Sequence, residues 1–193
     1  MKKTIFFLAL CMMLVTGFLT LLVLNDPVKL ISVLELWSLI FFWVFLCGSL
    51  MYFLRNTFTK YYSRIRLPIW IKFTVFSTTF ALIEEAIAVS INNYFYQSGV
   101  HGLTASTNYW EVISKHSIIA LLPVFLIFSF YIQKFKPSPY KAFLYFGVIG
   151  TLAETTIGGF LSLLQFGMWI FVYGLMIYLP AHQNNEFSQK DFL

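Results

Sequence analysis

The chain has 193 residues, of which 59% are hydrophobic and 11% charged, with a mean hydropathy of +0.78. Soluble domains are about 45–50% apolar and about 25% charged, so this composition excludes an ordinary soluble fold and predicts an all-α membrane protein. The net charge of +5 is spread over several loops, and the longest basic segment, residues 55–72, interleaves cations with aromatic rings. Such a segment suits a bilayer interface, and we expect no nucleic-acid partner.

Apolar runs divide the chain into six predicted helices, since one bilayer crossing needs about 20 residues. The first run follows Lys2 and Lys3 and ends at the turn signal of Asn25, Asp26 and Pro27. The last run is about twice as long as one crossing needs, and we divide it at residues 164–167. The resulting single membrane domain, residues 1–193, is a polytopic helical bundle. Its predicted spans are residues 4–24, 30–54, 69–95, 112–132, 142–163 and 167–180.

The distribution of cations predicts the orientation of this bundle. With six spans, both termini and the second and fourth connections lie on one side. Eleven of the 13 Lys and Arg residues fall on that side, and only Lys29 and Lys115 fall on the other. By the positive-inside rule, we expect both termini in the cytoplasm and the protein in the cell (inner or plasma) membrane.

Three glutamates and one histidine lie inside the predicted spans. Glu84 and Glu85 are adjacent in the third span, Glu154 is in the fifth, and His116 is near one end of the fourth. A carboxylate near the bilayer centre costs at least about 2.5 kcal/mol, so it usually faces a cavity or a partner and marks function. With about 1.5 Å of rise per residue, Glu84 lies roughly 22 Å and Glu154 roughly 18 Å from the starts of their helices. We therefore expect the four side chains to share one layer.

Small and polar residues form a stripe on each of the two helices that carry glutamates. The stripe on the third span is Thr74, Thr78, Ala81, Glu85, Ala88 and Asn92, and that on the fifth is Gly147, Thr151, Glu154, Gly158 and Ser162. Steps of three and four place each set on one helix face, and small residues let helices approach closely. We expect the two stripes to face each other or a shared cavity.

Four chemistries fit such a layer. The carboxylates and the imidazole could hold a divalent metal ion with an open position for water, which permits hydrolysis. Two carboxylates held close together do not both ionise easily, so one could act as general acid or base without a metal. The same groups could carry protons or cations in a transporter. They could also hydrogen-bond neighbouring helices as purely structural contacts.

Two segments carry a family resemblance. The Glu-Glu pair within IEEA, residues 83–86, resembles the first motif of the CAAX-protease-like (CPBP) membrane proteins and of PrsW-type proteases. The segment GVIGTLAETT, residues 147–156, is similar to the Gly-rich helix ending in glutamate of the PrsW group. Those families have Lys or Arg three or four residues after the pair, where this chain has Ala88 and Val89. The resemblance implies an intramembrane protease-like scaffold with the pair at its catalytic site.

The sequence thus favours an intramembrane hydrolase that acts on a lipid-embedded substrate, either a lipid or a membrane peptide. Glu84 or Glu85 would be the general base, and Glu154 with His116 would be its partners or the ligands of a divalent metal ion. A small proton- or cation-coupled transporter or lipid carrier is the alternative hypothesis. A non-catalytic accessory subunit of a membrane complex is the third.

Overall fold

The computed structural model describes residues 2–96, 104 and 106–190, and every regular element within these ranges is helical. In chain order the α-helices are α1 (Lys2–Val23), α2 (Pro27–Leu39), α3 (Gly48–Arg64), α4 (Ile69–Tyr96), α5 (Tyr109–Val112), α6 (Ile118–Phe135), α7 (Pro139–Gly158) and α8 (Phe166–Lys190). Two π-helical segments, Ile40–Cys47 and Ile113–Ser117, join α2 to α3 and α5 to α6. A 3₁₀ helix, Phe160–Gln165, precedes α8.

Short polar residues and prolines start two of these helices. The side chain of Asp26 caps α2 by accepting a hydrogen bond from the backbone N–H of Lys29, and Pro27 follows at the first helical position. Ser138 and Pro139 start α7 in the same way. A cap satisfies a backbone N–H that has no partner inside the helix, and proline has no N–H to lose there. These turns fix where the chain reverses direction.

The second apolar helix is longer than predicted. The chain remains helical from Pro27 through the π-helical segment to Arg64, whereas the prediction ended this span at residue 54. The aromatic rings of Phe58 and Tyr62 pack on Phe76 of α4, and this packing holds the extra turns of α3 in place. The predicted interfacial segment, residues 55–72, is therefore mostly helix.

Lys72 illustrates the consequence of that packing. It is buried in the first turn of α4, with its ammonium group 4.7 Å from the ring centre of Tyr62 on α3. A cation over an aromatic face is attracted by the negative charge of the ring face. Only residues 65–68 connect the two helices, and α3 and α4 are consequently antiparallel neighbours.

Helix α8 lies at the centre of the bundle and packs against α1, α3, α4 and α7. Its most buried side chains include Met176 and Ile177, which form one core with Trp43 and Phe146. The indole N–H of Trp43 donates a hydrogen bond to the carbonyl oxygen of Val172 at 3.0 Å. This bond ties the π-helical segment between α2 and α3 to α8.

Glycines bring α7 and α8 unusually close together. A Cβ atom at Gly147 would lie 2.6 Å from the carbonyl oxygen of Ile170, and one at Gly174 would lie 2.6 Å from the ring of Phe143. Real Cβ atoms do not approach other atoms this closely, so both positions require glycine. Small residues allow the same close approach of helices in membranes. The Gly-rich face of α7 therefore packs on α8, and α8 lies between α4 and α7.

The break between the last two helices lies earlier than predicted. We placed it at residues 164–167, but α7 ends at Gly158 and Gly159 has a φ of 73°. A positive φ is unfavourable for residues that have a Cβ, and glycine adopts it readily. The residues of the predicted turn belong instead to the 3₁₀ helix and the first turn of α8.

Several helices are long and apolar enough to cross a membrane. Within the described residues there are five, namely Lys3–Val23, Pro27–Arg64, Ile69–Phe95, Ile118–Phe135 and Ser162–His182. Helix α7 has 20 residues but also contains Lys141 and Glu154, and it is not among these five. The sixth span stays a prediction.

The bundle has two ends, and each takes its name from a residue in the connection between two helices. Asp26, between α1 and α2, marks the Asp26 side, and Ile65, between α3 and α4, marks the Ile65 side. Ring contacts such as Phe73 with Phe128 and Tyr140 with Tyr178 show that α4 and α6, and α7 and α8, run antiparallel. Helix α4 therefore ends, and α2 and α8 begin, towards the Asp26 side.

Candidate functional site

The three glutamates predicted as site residues line one cavity of about 90 Å³ inside the bundle. Glu84 and Glu85 reach it from α4, and Glu154 reaches it from α7. The other lining residues are Leu39, Ala88, Leu121, Trp169, Val172, Tyr173 and Met176. From the two predicted polar stripes, Glu85, Ala88 and Glu154 line this cavity, whereas Gly147 packs on α8.

Glu85 is held from the side of α6. Its Oε1 accepts a hydrogen bond from the hydroxyl of Ser117 at 2.7 Å. Ser117 is buried and forms the last residue of the π-helical segment before α6. Hydrogen bonds to a carboxylate are shorter and stronger than those between neutral groups, so this contact orients Glu85 towards α6.

Glu154 is held from the opposite side, by α8. Its Oε1 accepts a hydrogen bond from the hydroxyl of Tyr173. The ring of Tyr173 lies directly over Gly150, where a Cβ would be 2.1 Å from the Cγ of the ring. The glycine therefore makes room for the ring, and the ring carries the hydroxyl to Glu154. The Gly-rich pattern of α7 and its glutamate thus belong to one contact with α8.

Glu84 lines the same cavity as these two hydrogen-bonded carboxyl groups and is itself buried. Adjacent residues on a helix point about 100° apart, so Glu84 and Glu85 reach the same cavity only because it extends from α6 to α8. Three carboxyl groups brought together in a bundle are mutually repulsive when ionised, and a shared proton relieves this repulsion. The arrangement is therefore suited to binding and releasing protons.

Tyr109 of α5 stands beside the cavity. Its hydroxyl donates a hydrogen bond to the carbonyl oxygen of Leu82 at 2.9 Å. Burial, with a smaller effect from the nearby charge of Glu85, raises the pKa of Tyr109. The phenol consequently keeps its proton at neutral pH and fixes α5 against α4 as a hydrogen-bond donor.

His116, the fourth predicted site residue, lies in the π-helical segment directly before Ser117. Its side chain is not among those that the structure describes, so its association with the glutamates stays a prediction. No three His, Cys, Asp or Glu side chains of the described part of the chain are grouped so that they could hold a metal ion. The described carboxyl groups by themselves therefore do not fit the predicted divalent-metal site.

Sequence reasoning missed the two hydroxyl donors of the cavity, Ser117 and Tyr173. Ser117 adjoins His116, and Tyr173 interrupts the apolar sequence of α8 with a polar group. The hydroxyl of a buried tyrosine inside an apolar span usually has a hydrogen-bond partner. The position of Tyr173 in the sequence therefore indicated a polar contact at this point of α8. Which partner it finds depends on the packing of α7 against α8.

A larger apolar groove of about 750 Å³ follows another face of α4. Its walls include Ile83, Ile87 and Tyr109, whereas Glu84, Glu85 and Glu154 do not line it. The groove is large enough for an acyl chain or a small ligand.

The chain matches no protein-family model, and neither a curated protein nor a solved structure matches it. The resemblance to the CPBP and PrsW proteases therefore stays an interpretation of residues 83–86 and 147–156. Functional inference for this protein consequently starts from the geometry of the cavity and its side chains.

Proposed function

We propose that the protein is a membrane transporter that carries protons, with Glu84, Glu85 and Glu154 as its proton-binding site. The observation that carries this proposal is that three glutamates from two helices line one cavity of about 90 Å³. Ionisable residues within membrane helices are costly to insert, and chains of carboxyl groups serve as proton relays in pumps and transporters.

The size of the cavity supports protons over an organic substrate. Pockets for small molecules usually have volumes of about 300–1,000 Å³. A cavity of about 90 Å³ has room for a few water molecules beside the carboxyl groups. The groove large enough for a lipid chain runs along another face of α4, away from the glutamates.

The hydrogen-bond donors support the same proposal. Ser117 donates to a carboxyl oxygen of Glu85, Tyr173 donates to one of Glu154, and both carboxyl groups line the cavity. A hydroxyl donor stabilises the ionised form of its carboxyl group. Glu84, the most buried of the three, would then hold the exchangeable proton.

The proposal includes an orientation in the cell membrane. The excess of Lys and Arg on the Ile65 side is expected in the cytoplasm by the positive-inside rule. Both termini would then be cytoplasmic, and the Asp26 side would face away from the cytoplasm. Protons would cross between these two sides through the cavity.

Proton flux into proteoliposomes tests the function. The purified protein is reconstituted with a pH-sensitive dye inside, and a potassium diffusion potential drives protons inwards. We expect Glu84→Gln and Glu154→Gln to lower the flux at least tenfold, because glutamine keeps the shape but cannot release a proton. Glu111→Gln, which changes a glutamate that does not line the cavity, is the matched control and should leave the flux unchanged.

Two results would contradict the proposal. One is wild-type protein that, although monodisperse after reconstitution, carries no more protons than empty liposomes. The other is flux that survives in the Glu84→Gln, Glu154→Gln double variant at the wild-type rate.

A hydrolase acting on a lipid-embedded substrate is the second candidate, and the contact between Ser117 and Glu85 favours it. The distance of 2.7 Å between Ser117 Oγ and Glu85 Oε1 is within the range of a nucleophile and its general base. The test is incubation of the protein in bicelles with phospholipids and single-span peptides, followed by mass spectrometry of the products. Hydrolysis that is lost in Ser117→Ala would support this candidate, and the absence of cleaved products would exclude it for these substrates.

A further inference from the structure

The structure holds a second group of buried polar side chains that the sequence did not mark as a site. Glu35 of α2 is fully buried, and neither of its carboxyl oxygens has a hydrogen-bond partner within the described chain. Buried polar groups in folded proteins nearly always have a partner, and burying a carboxyl group without one is strongly unfavourable. Glu35 therefore requires an explanation.

Two neighbouring helices supply similar groups. Asn92 of α4 is fully buried, and both polar atoms of its side chain lack partners among the residues described. The indole N–H of Trp169 on α8 is likewise buried without an acceptor in the described structure, although Trp169 lines the carboxylate cavity. We call these three residues the Glu35 cluster.

Helix geometry places the Glu35 cluster beside the cavity. Each member lies four residues from a residue of its own helix that lines the cavity. The pairs are Glu35 with Leu39, Asn92 with Ala88, and Trp169 with Tyr173. Residues four apart share a helix face and are separated by one turn, or about 6 Å of rise. Because α4 runs opposite to α2 and α8, all three steps lead in the same direction, towards the Asp26 side.

The face of α2 confirms which way Glu35 points. Trp37 donates a hydrogen bond from its indole to the hydroxyl of Thr20 at 3.0 Å, so the Trp37 face of α2 is turned towards α1. Two residues of helix correspond to a rotation of about 200°. Glu35 and Leu39 therefore both point away from α1 and into the space that contains the cavity.

The mixture of donors and acceptors indicates what this cluster binds. The indole N–H is a donor only, the asparagine amide is both donor and acceptor, and the glutamate oxygens accept or, when protonated, donate. A metal cation would be repelled by the two N–H donors, and an anion by Glu35 when it is ionised. Water satisfies donors and acceptors together, and buried water typically bridges such groups.

We propose that the Glu35 cluster is a hydrated access route that connects the carboxylate cavity to the Asp26 side, with Glu35 as its proton-transferring group. In each transfer the protonated carboxyl group of Glu35 gives its proton to a bound water. That water releases another proton to a cavity glutamate, and Glu35 is reprotonated from the Asp26 side. The role in proton transfer rests on the proposed transport function, whereas the hydration of the cluster does not.

Cysteine accessibility tests the hydration without any assay of transport. In a background with Cys11→Ala and Cys47→Ala, Glu35→Cys is exposed to a small, water-soluble thiosulfonate reagent applied from the Asp26 side. The cysteine thiolate attacks the sulfur of such a reagent, forms a mixed disulfide and releases a sulfinate, and the thiolate itself forms only where water reaches the cysteine sulfur. Val33→Cys is the matched control, because Val33 is equally well buried in α2 but lies near the face turned towards α1.

We expect position 35 to react at least tenfold faster than position 33. Asn92→Cys provides a second position on the same route, and it should react as Glu35→Cys does. Equal, negligible reactivity of positions 33, 35 and 92 in monodisperse protein would overturn the hydrated route.

Proton flux then separates this inference from the proposed function. We expect Glu35→Gln to lower the flux at least tenfold relative to wild-type protein. Wild-type flux that persists in Glu35→Gln would overturn the role of Glu35 while the function of the cavity stands. Wild-type protein without flux would instead remove the transport function, and the labelling rates would still decide whether the cluster is hydrated.

Discussion

The carboxyl groups of Glu84, Glu85 and Glu154 differ in their surroundings although they share a cavity. Glu85 and Glu154 each accept a hydrogen bond from a hydroxyl group, on α6 and α8 respectively, while Glu84 is the most buried of the three. Like charges in one cavity favour protonation, and hydroxyl donors favour the ionised form. The surroundings of the three groups are therefore chemically distinct.

The hydroxyl of Tyr173 provides a residue-scale prediction. We expect Tyr173→Phe to lower the free energy of unfolding by about 1–3 kcal/mol, because Glu154 loses its donor while the ring keeps its place over Gly150. Thermal unfolding in detergent measures the effect. Tyr145→Phe, which removes the hydroxyl of a half-exposed tyrosine on α7, is the control and should change stability by less than about 0.5 kcal/mol.

Equal stability of the Tyr173→Phe and Tyr145→Phe proteins would mean that the hydroxyl contact with Glu154 contributes nothing. The carboxyl group of Glu154 would then have to be satisfied by water in the cavity. Proton flux in Tyr173→Phe adds a second measurement, since loss of the donor should change the flux even where unfolding is unaffected.

At the scale of helices, the contact between α7 and α8 determines the geometry of the site. Gly147 and Gly150 let the two backbones approach, and the same approach brings the hydroxyl of Tyr173 to Glu154. The Gly-rich face of α7 was recognisable from its spacing. Its partner was not, because the spacing of small residues shows which face packs closely and not which helix packs against it.

Substitution of Gly147 tests this contact. We expect Gly147→Ala to destabilise the protein by about 1–3 kcal/mol, because the new Cβ would meet the backbone carbonyl oxygen of Ile170 and the helices would have to separate. Gly17→Ala in α1 is the matched control. Nothing lies within 4 Å of a Cβ at Gly17, so alanine should be neutral or stabilise α1 by up to about 1 kcal/mol.

Both substitutions raise helix propensity equally. A difference between the unfolding temperatures of the two variants therefore reports the effect of the new Cβ on packing. A Gly147→Ala protein that is as stable as Gly17→Ala would contradict the close approach of α7 to α8.

The breaks before α2 and α7 were predicted, although both helices begin three residues earlier than the predicted spans, at Pro27 and Pro139. The extension of α3 to Arg64 was missed, because it depends on Phe58 and Tyr62 packing against α4. The π-helical segment before α6 was also missed, and it is the element that carries Ser117 to Glu85. Tertiary contacts stabilise both features, and local sequence carries no mark of them.

At the scale of the whole molecule, the path of α7 decides how many times the chain crosses the membrane. Helix α7 lies antiparallel beside α8 and has 20 residues, so we predict that it crosses and that there are six spans. Helix α7 contains the charged residues Lys141 and Glu154, and it is not among the five helices that are long and apolar enough to count as candidate spans. The hydrogen bond that Tyr173 donates to Glu154 offsets part of the cost of inserting that carboxyl group into a membrane.

Labelling of single cysteines in intact cells tests the topology. In the cysteine-free background, a thiol reagent that does not cross membranes should label Asn25→Cys and Leu164→Cys but not Leu67→Cys or Lys136→Cys. This pattern would show that the Asp26 side faces the outside of the cell. It would also show that the two ends of α7 lie on opposite sides of the membrane. Labelling of Leu164→Cys and Lys136→Cys from the same side would rule out a crossing by α7, and a fully inverted pattern would reverse the predicted orientation.

The amino-acid sequence by itself determined the helical class, most of the long apolar helices and the identity of the glutamates, because apolar periodicity and costly charges are local properties. Tertiary structure alone decided that Glu84, Glu85 and Glu154 meet in one cavity, that Ser117 and Tyr173 hold two of them, and that Glu35 is buried without a hydrogen-bond partner among the described residues. Those relations depend on which helices are neighbours and how they are rotated. Such long-range packing is fixed by the sum of many weak contacts and has no signature in any single segment.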